Sequence, residues 1–283
     1  MCNTPICRFL SVFVRFFGVL SLYNHPMGIY TQFESREYLA LRINYCKTGL
    51  AKLPVVKIAS RTVRGENVKV CIVGDHVYRC YSNSGNRYVD IAQKRVALES
   101  ELMRLEGIWN SQFICPVPED YQPHNVIRKI NVGNNELVNL DKEYFDSLKN
   151  DANPNYRENK RYQFNGIFYR SIPEREIAIY YTEHGIPFKY EPEVWVAGLK
   201  KPIHPDFVLY FRELNLCKFH EHLGLMNKVG YLRDLDIKRD NYTNAGLITD
   251  LDVLFTYDME DLPFDTRVLA PTINQAVFKS MLL

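Results

Sequence analysis

Pro205–Leu223 reads PDFVLYFRELNLCKFHEHL, and the fold turns on how this stretch is read. Two strand-like runs, Pro205–Phe211 and Cys217–His222, flank the short polar connection Arg212–Asn215. Val, Phe and Tyr favour strands, and so tight a connection favours an antiparallel hairpin. In a hairpin the start of one strand meets the end of the next. A register pairing 206 with 221 centres the turn on Glu213 and Leu214 and puts Asp206 and Glu221 on one face. Two carboxylates that close repel unless they share a proton or a divalent cation. Hard oxygen ligands of this kind suit Mg²⁺ or Mn²⁺.

Working outward, Ser171-Ile-Pro-Glu174 opens a helix with Ile177, Ala178 and Tyr181 as its apolar stripe, and Gly185 ends it. A further strand is expected over Lys189–Ala197, before the hairpin. After the hairpin come a helix from about Gly230 to Tyr242, closed near Asn244-Ala-Gly246, a strand at Val253–Tyr257 and a last helix from Asp265. On the second helix Tyr231, Leu235, Lys238 and Tyr242 share a face. A lysine in such a stripe either meets carboxylates or an anion, or snorkels to water. Glu174 has two readings that can coexist, a capping-box partner of Ser171 and a metal ligand. His220-x-His222 and His204 raise zinc, but no cysteine is suitably spaced, and a hydrogen-bonded histidine is the commoner case.

The amino-terminal half reads differently. Ser35–Leu53 is a helix stopped by Pro54, and Pro54–Ser60 and Val68–Val73 are strands around the turn at 64–67. His76–Tyr81 adds a strand, Ser82–Asn86 is expected as a loop and Asp90–Leu105 as an amphipathic helix. This module carries Arg61, Arg64, Lys69 and Arg87 beside several tyrosines. Such a surface can grip a nucleic-acid backbone, while the bland alternative is a solvated hairpin. Residues 111–164, with their prolines and asparagines, read as a connector with one helical stretch near Asp141–Leu148.

The 283 residues suggest about two domains. The net charge of +2 conceals a gradient: +2 over residues 1–26, +4 over 27–164 and −4 over 165–283. Seven cysteines without a C-x-x-C argue against a disulfide framework and for free thiols in a reducing compartment. The apolar run Phe9–Tyr23 contains Arg15 and is too short to span a bilayer. Residues 1–26 are therefore expected to be a leader ahead of a start at Met27, and the domains to fall at 27–110, 111–164 and 165–283. No P-loop, G-x-G-x-x-G or G-x-S-x-G occurs, so kinase, dehydrogenase and hydrolase readings have no foothold.

The chain resembles the PD-(D/E)XK nuclease superfamily, in particular a branch of bacterial and phage-associated proteins. The resemblance rests on Arg170-Ser171-Ile-Pro-Glu174-Arg-Glu-Ile177-Ala178, Gly185-Ile-Pro-Phe-Lys-Tyr190-Glu191, Pro205-Asp206-Phe207, Glu221-His222-Leu-Gly224-Leu-Met226, Tyr231, Lys238, Tyr242 and Thr256-Tyr257. These pieces run in family order over about 165–283. The resemblance implies an α/β (α+β) fold, with a restriction-endonuclease-like mixed sheet flanked by helices behind a small sheet-plus-helix module. It implies Mg²⁺- (or Mn²⁺-) dependent hydrolysis of phosphodiester bonds in DNA (or RNA), in a bacterial cytoplasm and without a membrane span. Asp206 and Glu221 would be metal ligands and Glu174 an auxiliary ligand. The family's lysine normally follows the second acid by two positions, where this chain has Leu223. The branch takes its lysine from the next helix, matching Lys238, and His222 is a second candidate for water activation. The displaced lysine leaves an alternative, a weakly active or inactive nuclease-like protein that binds nucleic acid. A homodimer is compatible with either.

Overall fold

The computed structural model describes residues 35–63, 65–134, 136–155, 157–224, 229–259 and 263–283. They belong to one compact unit, Phe33–Leu283. The expected leader, the start at Met27, Arg64 and the ring of Tyr231 lie outside the described residues. The fold is mixed α/β, with helices packed around several small sheets.

The amino-terminal elements are α1 (Arg36–Lys52), β1 (Lys57–Val63), β2 (Glu66–Val73), β3 (His76–Arg79) and α2 (Asn83–Gln112). Ser35 caps α1 through the Tyr38 N–H, and the three strands pair antiparallel in sequence order. Leu39, Ile43 and Cys46 of α1 pack on Leu98, Leu105 and Trp109 of α2. Helix α2 overturns two expectations. Ser82–Asn86 is not a loop, because the Ser82 hydroxyl accepts from the Gly85 N–H and starts the helix there. The helix also runs through Gly107 to Gln112, since burial of Trp109 outweighs one unfavourable glycine. Gly85 is required: a Cβ there would lie 1.7 Å from the Arg79 carbonyl oxygen.

The connector is ordered. It contains the hairpin β4 (Lys129–Gly133) and β5 (Glu136–Asn139), the short helix α3 (Lys142–Ser147) and β6 (Tyr162–Phe164), which pairs with β7 (Ile167–Tyr169). It is held by backbone hydrogen bonds to the carboxyl-terminal sheet, among them Cys217 N–H to Leu140 and Asp151 N–H to Tyr190.

That sheet has the order β11-β10-β9-β8, from β8 (Phe188–Tyr190), β9 (Phe207–Phe211), β10 (Leu216–Leu223) and β11 (Val253–Tyr257). The first three are antiparallel neighbours, and β11 joins β10 in parallel. Helix α4 (Ile172–Glu183) precedes β8, α5 (Val229–Asn244) links β10 to β11, and α6 (Leu269–Met281) closes the chain. Helices α4 and α5 end in Schellman turns at Gly185 and Gly246, both at positive φ, with Ile186 N–H on Tyr181 and Leu247 N–H on Tyr242. Strand β8 is shorter than expected. Glu191 turns to φ 40° ahead of Pro192, and only a single bridge, Val194 to Ile203, continues the pairing. Among the described residues no helix is long and apolar enough to cross a membrane.

A buried ion network ties the amino-terminal helices to this sheet. Arg42 of α1, 1% exposed, reaches Glu101 of α2 at 3.2 Å and donates to the His184 carbonyl at the end of α4 at 2.8 Å. Arg212 in the β9–β10 turn meets the same Glu101 at 2.7 Å.

Lys218 is buried in the middle of β10, donating to the Leu251 carbonyl and to the Ser280 hydroxyl. Burial pulls its amine down from 10.5 to about 7, against the opposing pull of Asp252. Between those pH values the unfolded chain carries a proton that the folded chain lacks, so stability should rise with pH across that window. The urea midpoint is expected to climb between about pH 7 and about pH 10.5, and the climb should vanish in Lys218→Met. An identical pH profile in the variant would refute it.

Candidate active site

The hairpin register sets the site. His220 pairs with Phe207 and Leu216 with Phe211, so one step beyond the ladder Asp206 faces Glu221. Successive β10 side chains point to opposite faces. Glu221 therefore turns toward α5, and His220 and His222 turn away from it. The two carboxylates line a cleft of about 310 Å³ together with Asn153, Asn155, Arg170, His204, Lys238 and Tyr242. A larger groove of about 610 Å³, lined by Tyr144, Lys149 and Trp195, contains neither carboxylate.

Glu221 is 3% exposed and fully engaged: Lys238 Nζ lies 2.5 Å from Oε2, and the Tyr242 hydroxyl donates to Oε1 at 2.5 Å. Lys238 and Tyr242 are four residues apart on α5, so the apolar stripe read from the sequence delivers both to one carboxylate. Asp206 accepts from the His222 backbone N–H at 2.8 Å and from Arg170 Nη2 at 3.0 Å. Glu174, at the start of α4, accepts from the Tyr190 hydroxyl at 2.6 Å and from the Arg170 N–H at 3.1 Å. Ser171 caps the Glu174 N–H, but the reciprocal bond falls on Arg170 rather than Ser171, so Glu174 completes only half of a capping box. Its carboxylate is buried behind Arg170, whose Nη2 lies 3.7 Å from Oε1, and it does not line the cleft.

Asp151, Glu174, Glu191, Asp206 and Glu221 join Lys160, Arg170 and Lys238 in one ion-pair network. Of these, Asp206, Glu221, Arg170 and Lys238 line the cleft itself, two acids against two bases. Burial, then repulsion from Asp206, holds the Glu174 carboxyl above its usual range. Burial lifts Glu221 as well; Lys238 offsets part of this and Asp206 adds to it. For Lys238 burial disfavours the ammonium, but Glu221 and Asp206 outweigh it and push the pKa up.

His222 is not brought to the cleft. Strand alternation places its ring on the far face, where Nδ1 lies 3.0 Å from the Thr256 hydroxyl and the ring meets Phe264 edge-on at 4.7 Å. Only its backbone touches Asp206. His220 is buried between the Tyr181 and Thr256 hydroxyls, and burial pulls it down to about 3. The zinc reading therefore finds no support in this pair. Among the described residues no three His, Cys, Asp or Glu side chains form a metal cluster. Arg170 and Lys238 instead stand among the three acids.

In the basic module Arg61, Lys69 and Arg87 are exposed. Arg61 pairs with Val68 and Ser60 with Lys69, so Arg61 and Lys69 point to opposite faces of the hairpin and cannot grip one backbone together. Sequence reading did not single out Arg170, Glu191 or Lys160 as site residues. Arg170 and Glu191 lie inside the quoted motifs, but only the fold shows that they meet. No protein-family model, curated protein or solved structure matches the chain.

Removing the ammonium while keeping its stem isolates the central pair. Lys238→Met should destabilise the fold by about 2 kcal/mol, below the range for a fully buried pair because the lysine side chain is 37% exposed. Lys238→Arg should recover most of that loss. Denaturant titration checks both, and an unchanged midpoint in the methionine variant would show that the pair contributes nothing.

Proposed function

We propose that the chain is a metal-dependent nuclease of the restriction-endonuclease-like class, acting on DNA ahead of RNA. The observation that carries this reading is Asp206 facing Glu221 across the end of β9 and β10, with Lys238 on Glu221, in one cleft. The order helix, three antiparallel strands, helix, parallel strand makes a mixed sheet with helices, in keeping with what the PD-(D/E)XK resemblance implies, and supports this reading. Leu223 lies on the same face of β10 as Glu221, where the usual lysine would stand. Lys238 brings its ammonium to that carboxylate from α5 instead.

A divalent cation suits the hard, buried oxygen donors of Asp206 and Glu221 in this cleft. Asp206 and Glu221 would hold it, with Glu174 auxiliary, and Mg²⁺ or Mn²⁺ bound there would acidify a water and polarise a phosphate. The chain's own groups do the rest. Lys238 orients water or stabilises charge on the phosphate, and Tyr242 fixes the Glu221 carboxylate. The exposed cations of the amino-terminal sheet hold the polyanion on one face at a time, Arg61 or Lys69. A second reading, a nucleic-acid-binding protein without turnover, draws on the close 2.5 Å engagement of Lys238 by Glu221.

Purified protein is expected to nick or linearise plasmid DNA with Mg²⁺ or Mn²⁺. Asp206→Ala and Glu221→Ala should abolish cleavage. His222→Ala should lose no more than about tenfold, because its ring is outside the cleft. Salt-sensitive DNA binding with no metal-dependent cleavage would favour the second reading, and cleavage surviving Asp206→Ala would place the chemistry elsewhere.

A further inference from the structure

We infer that Arg170 is a substrate-phosphate ligand that exchanges its Asp206 contact for a phosphate, with Glu191 as the ion-pair partner it keeps. The inference rests on the metal-dependent reading above and assigns a role within that same cleft.

Of the three carboxylates around the Arg170 guanidinium, Glu174 is the farthest, 3.7 Å from Nη2, and the other two differ in kind. Glu191 is completely buried, and its Oε1 lies 2.9 Å from Arg170 Nε. The same oxygen accepts from the Asn153 amide at 3.1 Å, and Oε2 meets Lys160 Nζ at 2.6 Å. Oε1 therefore has a hydrogen bond and an ion pair and Oε2 an ion pair alone, on a backbone at φ 40°. Glu191 does not line the cleft. Asp206 does, and it meets Arg170 through Nη2 at 3.0 Å. The guanidinium thus lies at ion-pair distance from Glu191 through its inner nitrogen, without a hydrogen bond there, and donates to Asp206 from an outer one, on a side chain 28% exposed.

A divalent cation on Asp206 would confront the positive charge already resting on Oδ1. Like charges on one oxygen repel, so cation and guanidinium should compete for it. Released there, the fork stays in the cleft through Glu191, with planar N–H donors that suit two phosphate oxygens. Lys238 is a single-point donor held on Glu221, so Arg170 is the residue whose geometry can read the phosphate. The chemical class recognised is the phosphodiester of a nucleic-acid strand.

Two readouts separate this from a merely structural role. Manganese binding is followed by the electron-spin signal of free Mn²⁺, and binding of a short DNA duplex by its salt dependence in Ca²⁺. Arg170→Gln should bind Mn²⁺ roughly five- to tenfold more tightly than the native sequence, since the competing charge is gone. Its salt slope for DNA should fall by about one phosphate contact. Arg170→Lys should restore competition with Mn²⁺, and thermal melting should confirm that both variants fold. Unchanged or weaker Mn²⁺ binding by a folded Arg170→Gln variant, or an unchanged salt slope, would overturn the proposal even if the native protein cleaves DNA. If the native protein neither binds Mn²⁺ nor cleaves, the nuclease reading fails and this inference fails with it.

Discussion

The register of one hairpin governs the cleft. Pairing His220 with Phe207 places Asp206 opposite Glu221, and a slip of one residue would reverse every β10 side chain. Glu221 would then face Tyr181 and Thr256, with no cation to meet it, while His220 and His222 would turn toward α5. The register is protected where it can be, by a turn tied through Arg212 to Glu101 and by buried side chains along both strands. The network around Arg42 is therefore more than an attachment of the amino-terminal helices. It holds the turn from which the two acids take their positions.

Once the acids are placed, electrostatics dictates the rest. Burying Glu174, Glu191, Asp206 and Glu221 together is unfavourable, and three cations and two tyrosine hydroxyls offset it. Lys238 and Tyr242 reach Glu221 because α5 crosses its face of the sheet. Lys160 reaches Glu191 because residues 151–152 hydrogen-bond along the outer side of β8. The segment that looked like a connector thus carries part of the charge compensation. A cluster of this many buried acids is held by its scaffold as well as by its own ion pairs, a pattern that is common where binding matters more than stability.

Local pattern carried much of this into view from the sequence. The helix over Ser171–Gly185, the hairpin, its turn at Glu213–Leu214 and the partnership of Leu235, Lys238 and Tyr242 all follow from period and punctuation, which depend on neighbours in the chain. What was hidden depended on distant partners. Gly85 lies inside a helix because the Arg79 carbonyl leaves no room for a side chain. Lys189–Ala197 failed as a strand because Glu191 leaves extended geometry to meet Lys160 and Arg170. His222 looked suited to water activation by adjacency to Glu221, but adjacency along a strand means opposite faces.

Arg170 shows how such a residue escapes notice. In sequence it is one more basic side chain before a helix cap. In the fold its own N–H bonds Glu174 while its side chain joins Glu191 to Asp206, so one residue spans the start of α4, the end of β8 and the start of β9. Half of the expected capping box is lost because Glu174 bonds that N–H instead of Ser171. The deviation from ideal capping and the crowding of acids around Arg170 therefore share a cause. The carboxylate of Glu174 is held by the Arg170 backbone N–H, and the same residue supplies the guanidinium that lets three acids stand together.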